Sequence, residues 1–105
     1  MNTESAQDFA FQEKAIIICD HIAVKGLPIL LAIRTEPTCN EDSGWQILCN
    51  SGQLEKEENA QIWKLIELLD YEPSLAPYIT LPPGTVLRRG SETATWAVGR
   101  IPRVE

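Results

Sequence analysis

The residues best equipped for chemistry are Cys19, Asp20 and His21, which stand side by side, with Cys39 and Cys49 further along the chain. A thiolate and an imidazole two residues apart point the same way on a strand, so the pair could begin a zinc site. Zinc sites are usually announced by closely spaced ligand pairs such as CxxC or HxxxH, and the chain has neither. A nucleophilic mechanism would need a thiol or hydroxyl, a base and an orienting acid. His21 is the sole histidine, so any such mechanism would have to pass through it. Cys19 is too close to it in sequence for the usual dyad. The bland reading is a hydrogen-bonded turn histidine beside reduced thiols, two of which act as small apolar residues. The adjacent acid pairs Glu41-Asp42 and Glu57-Glu58 read as solvated surface rather than a hydrolase dyad, because sequence neighbours need not converge. No glycine-rich phosphate loop is present. The expectation is therefore no catalytic residue, no metal and no cofactor.

Two tryptophans invite a different function. Large aromatic residues concentrate binding energy at protein interfaces. Trp63 flanks an apolar stripe. Trp45 follows Asp42-Ser43-Gly44, where the Asp and Ser side chains can bond nearby amides, Gly permits a tight bend, and Trp then plugs the core. The alternative is that Asp42 and Trp45 frame a binding surface.

The elements that would position these residues follow from pattern. Lys14–Cys19 and Ile29–Arg34 are short apolar runs that read as buried strands with neighbours on both faces. Lys25-Gly26 marks a turn between them. Thr35–Gly44 is a polar loop carrying Glu36, Glu41 and Asp42, and Trp45–Cys49 is a third strand. Leu54–Tyr71 reads as one long helix, because Ile62, Leu65, Ile66 and Leu69 recur at i, i+3, i+4 and i+7. Glu55, Glu57 and Glu58 would sit in or before its first turn, Asn59 is a plausible cap, and Pro73 ends it. Ser74–Tyr78 would add another helical turn. Thr85–Arg89 and Thr93–Val98 form a hairpin around Gly90-Ser91, with Ala94, Trp96 and Val98 sharing a face. The expected fold is α+β, a mainly antiparallel sheet of about five strands with one main helix packed on one face. Residues 1–13 form a loose arm, 14–98 a single domain, and 99–105 a tail.

Charge narrows the partner. The chain of 105 residues has a net charge of −6, which argues against a nucleic-acid surface. Thirteen of the 15 acids but only five of the nine bases lie in residues 1–72, leaving Arg88, Arg89, Arg100 and Arg103 as a mild basic accent behind an acidic body. The first twelve residues carry no base, unlike a secretory leader, and no apolar run approaches the roughly 20 residues that span a bilayer. A cytoplasmic protein without a membrane partner is expected.

Taken in order, Cys19-Asp20-His21-Ile22, Gly26, Arg34-Thr35-Glu36-Pro37 and above all Glu41-Asp42-Ser43-Gly44-Trp45 resemble a bacterial immunity-protein family of polymorphic toxin systems, family thirty-three, whose pattern includes a DSGW box. The likeness runs from about Ala15 to about Val98. It departs at Thr35, where the family carries an acid, and at Gln53-Leu54, where it carries an acidic pair. The resemblance implies a protein without enzymatic activity that neutralises a cognate toxin by binding it, and a basic nuclease suits the acidic charge. Glu36, Glu41, Asp42, Trp45, Glu55, Glu57 and Glu58 are the expected contact residues, because loops displayed by a rigid sheet are where binding concentrates. The competing reading is a small regulatory or adaptor module with a non-toxin protein partner.

Overall fold

A computed structural model describes residues 11–48 and 60–101. Its strands are β1 (Ala15–Cys19), β2 (Leu31–Arg34), β3 (Asp42–Leu48), β4 (Ala60–Lys64), β5 (Thr85–Arg88) and β6 (Ala97–Arg100). Two short α-helices, α1 (Asp20–Ala23) and α2 (Leu65–Tyr71), and a 3-10 turn at Pro73–Tyr78 complete the described elements. The six strands form one sheet in the order β4-β1-β3-β2-β5-β6. The fold is α+β, but the sheet is mixed: β1 and β3 are parallel, and the other pairings are antiparallel.

The Ile-rich run of β1 takes its place beside the sheet centre because β-branched side chains suit a pleated surface. Ile16 and Ile18 are fully buried on one face, whereas Ile17 on the other is 44% exposed. The expectation of neighbours on both faces of this strand is corrected accordingly. Among the described residues the core lies on one side of the sheet, where Ile16, Ile18, Ala32, Trp45, Ile47 and Leu87 from the sheet meet Leu65 and Leu68 of α2, Leu75 and Ile79.

The long helix is the largest correction. Ala60–Lys64 is a strand, paired residue for residue with β1 from Ala15↔Lys64 to Cys19↔Ala60. Ile62 therefore shares a face with Ile17 and is 76% exposed, while Leu65 and Leu68 are buried in α2. The helical stripe in the sequence combined residues from two elements. Lys64 marks the junction: its backbone N–H donates to Glu67 Oε1 at 2.9 Å, closing the first turn of α2. The anticipated cap Asn59 and the acids Glu55, Glu57 and Glu58 lie outside the described residues. Beyond α2, Pro73 opens the helical turn expected there.

The C-terminal hairpin also shifts. Arg88↔Ala97 is the last pair before its loop, so the second strand begins at Ala97 rather than Thr93. Residues 89–96 are held out of the ladder because both ends of this loop are buried: Arg89 is 8% exposed and Trp96 6%. Their groups bond to the 3-10 turn and its flank, through Arg89 to Glu72 and Trp96 Nε1 to Ser74 Oγ at 2.9 Å.

Candidate functional site

The Asp42–Trp45 box begins β3, and each residue has a separate mechanical task. Opposite β1, Ala15 aligns with Asp42 but Ile17 with Gln46, so β3 bulges there. Gly44 has φ +86°, and a Cβ on it would lie 2.1 Å from the Thr35 carbonyl oxygen. The tight approach lets Thr35 N–H donate to Gly44 O at 2.8 Å. Ser43 Oγ donates to Ala15 O at 2.7 Å and accepts from Trp45 N–H at 3.2 Å, tying the bulge to β1. Trp45 is 2% exposed, and its indole N–H donates to Ile79 O at 3.0 Å. It fills the core, so the box lends its tryptophan to the scaffold rather than to the surface.

Asp42 clasps the preceding loop. One carboxylate oxygen accepts from Thr38 N–H at 2.9 Å and Thr38 Oγ1 at 3.2 Å, and the other accepts from Gly44 N–H at 2.9 Å. Partial burial alone would raise the Asp42 pKa, but these three hydrogen bonds and the charge of Lys14 outweigh it and hold the carboxyl below its ordinary value of 3.8. Lys14 Nζ also donates to Asn40 O. On the far side, Arg34 donates through Nε to Ser43 O at 2.9 Å and through a terminal nitrogen to Leu81 O at 2.8 Å, while its guanidinium lies 5.1 Å from the Phe11 ring centre and 5.9 Å from that of Trp45. Burial lowers the Arg34 pKa, against the opposing influence of Glu36 and Asp42.

A pH dependence follows. A carboxyl with a folded-state pKa below its unfolded value adds stability above the unfolded pKa and loses it as pH falls through the folded one. Asp42→Asn should therefore be less stable than wild type at neutral pH, and the gap should close from about pH 5 downward as the wild-type carboxylate protonates. Urea midpoints for both proteins across that range would check this; a gap independent of pH would contradict it.

Between these anchors, Glu36 and Glu41 are exposed on the loop that joins β2 to β3, and Asp42 is half-buried at its foot. The expected contact residues thus divide: Glu36, Glu41 and Asp42 share one loop, Trp45 lies in the core, and Glu55, Glu57 and Glu58 are outside the described residues. Among the described residues, the two cysteines stand apart. Cys19 is buried at the end of β1 beside α1, and Cys39 is exposed near the opposite end of that strand, where Cys39 O accepts from Asp42 N–H. Five residues of strand separate the two ends by roughly 13 Å. Cys49 lies outside the described residues, among which no group of three or more His, Cys, Asp or Glu could hold a metal ion. No helix among the described residues is long and apolar enough to cross a membrane.

Sequence reasoning passes over two features. Arg89 reads as part of a basic accent, yet it is buried and holds the interior together, as half-buried Arg34 does at the box; nothing local in the sequence marks either role. The second is a recess beside α2, lined by Trp63, Glu67, Asp70 and Tyr71. Glu67, Asp70 and Tyr71, at i, i+3 and i+4, are a visible signal of one helix face, whereas Trp63 joins them only because β4 runs into α2.

The chain matches no curated protein and no solved structure. The family model described as the Immunity protein Imm33 domain matches residues 16–98, from β1 through the bulge and α2 to β6, and on that match the chain belongs to the Imm33 family of immunity-protein domains.

Proposed function

We propose that this protein binds and neutralises a cognate toxin without performing chemistry, and that residues 36–42 form part of the contact surface. Family membership supports an immunity role with a protein toxin as partner. The observation that carries the choice of surface is the pre-organised loop: Asp42 and Lys14 hold its backbone at Thr38 and Asn40, and Arg34 holds the adjoining Ser43, while Glu36 and Glu41 are exposed. A loop already ordered before binding loses less entropy on complex formation. With a net charge of −6, such a surface favours a basic partner, of which a nuclease would be one kind, and it would act first on the association rate. Glu55, Glu57 and Glu58 would extend the same acidic surface. Within this reading, residues 14–98 are the working domain and the toxin is met in the cytoplasm.

The test is co-expression with the toxin encoded beside it. Cells that die equally fast with and without this protein would refute the proposal. With a purified toxin, Glu36→Gln combined with Glu41→Gln should slow association roughly tenfold at low salt, and the difference should shrink as salt is raised. The same double variant should unfold within about 0.5 kcal/mol of wild type, since both side chains are exposed. Unchanged association at low salt would remove the loop from the contact surface.

A further inference from the structure

The recess beside α2 carries a more specific recognition chemistry. It is open to solvent, about 370 Å³ in volume, and lined by Trp63 from β4 and by Glu67, Asp70 and Tyr71 from α2. The Trp63 and Tyr71 rings stand 5.7 Å apart at 73°, an edge-to-face pair, and both line the recess. Its volume is at the bottom of the range for small-molecule sites, roughly 300–1,000 Å³, which suits the tip of one side chain. The two carboxylates are unequally committed. Glu67 gives one oxygen to the Lys64 backbone N–H, and Asp70 makes no hydrogen bond or ion pair among the described residues. Lys64, at the start of α2, is engaged elsewhere: its Nζ lies 2.9 Å from Glu13 Oε2, and that contact, ahead of the weaker influence of Glu67, raises its pKa. The last turn of α2 contains no base, although the carbonyl end of a helix attracts cations.

Aromatic faces with carboxylates at the rim are complementary to an organic cation, because the ring quadrupole and the acids attract the same charge. The protein uses this contact internally, where the Arg89 guanidinium lies 4.2 Å from the Trp96 ring centre. We propose that the Trp63–Tyr71 recess, with Glu67 and Asp70, receives a cationic side chain, arginine above lysine, projecting from the protein partner. This rests on the immunity reading and adds to it a second contact point, with the partner group named by its chemistry. Arginine is favoured because a planar guanidinium can stack on a ring while donating to a carboxylate.

The test uses capped tripeptides Gly-Arg-Gly, Gly-Lys-Gly and Gly-citrulline-Gly, titrated against the isotope-labelled full chain with the Trp63 indole N–H resonance as readout. The arginine peptide should shift that resonance saturably, with lysine weaker and citrulline inert. Asp70→Asn and Tyr71→Leu should each weaken the arginine response about fivefold or more, and a preserved spectrum elsewhere shows that the variant is folded. Equal shifts from arginine and citrulline, or folded variants that titrate like wild type, would overturn the proposal. In cells, Asp70→Asn and Tyr71→Leu should weaken protection against the toxin; full protection by both would overturn the assignment to that partner. Failure of the wild-type chain to protect, with arginine binding intact, would strike the immunity reading and still support the recess as a cation site.

Discussion

Replacing Arg89 by Met should cost about 3–5 kcal/mol of folding stability, the largest loss expected for any single charge among the described residues. The Arg89 side chain is 2% exposed and lies 2.7 Å from Glu72 Oε1, which is itself 19% exposed. Its Nε donates to Ile29 O at 2.9 Å, another nitrogen lies 3.5 Å from Ser74 Oγ, and the guanidinium stacks on Trp96. One side chain therefore joins the end of β5, the approach to β2, the 3-10 turn and the loop before β6. Methionine retains much of the apolar stem but leaves the Ile29 carbonyl without its guanidinium donor and Glu72 without its countercharge. Removing one partner of a buried pair is costly because the other charge stays behind. The melting temperature should fall by roughly 15 °C or more. Adding Glu72→Leu to the variant should recover part of the loss, because the stranded carboxylate is removed with its partner. Urea unfolding of the two variants measures both effects. A loss below about 1 kcal/mol for Arg89→Met would place this arginine with ordinary surface charges.

Gly44→Ala should cost about 3 kcal/mol or more, because two penalties coincide. A left-handed backbone costs an L-residue roughly 1–2 kcal/mol. The added Cβ also meets the Thr35 carbonyl oxygen at 2.1 Å, and that atom is backbone, which cannot swing aside as a flexible side chain would. Relief requires β2 and β3 to part where Thr35 N–H bonds to Gly44 O. Two other glycines separate the terms. Gly26 has φ +72° with nothing within 4 Å of an added Cβ, so Gly26→Ala should incur only the backbone penalty of roughly 1–2 kcal/mol. Gly90 has open space and no positive φ, so Gly90→Ala should stay within about 0.5 kcal/mol of wild type. Thermal denaturation of the three variants should rank them in that order. A Gly44→Ala protein no less stable than Gly26→Ala would refute the steric argument.

Part of this architecture can be read without coordinates because its causes are local. Three consecutive isoleucines favour the extended chain at β1 whatever lies beside it. Pro73 cannot continue α2. Asp42, Ser43 and Gly44 contain the hydrogen-bonding groups and the backbone freedom that a sharp chain reversal needs, and their order before Trp45 carries the family resemblance. Acidity, too, is a property of the residue list. Other features depend on which distant segment arrives. Strand order followed sequence only in part, since β3 occupies the place between β1 and β2 and so runs parallel to β1. Residues 60–64 have a helical apolar spacing, yet the free edge of β1 offers backbone hydrogen bonds along its length and makes them a strand. Arg89 and Trp96 read as parts of a hairpin, and only the 3-10 turn and its flank supply Glu72 and Ser74 as their partners. Residue types and short spacings determined the turns, the strand tendency of β1 and the charge; tertiary structure decided pairing, burial and the recess, because each depends on groups that only the folded chain brings together.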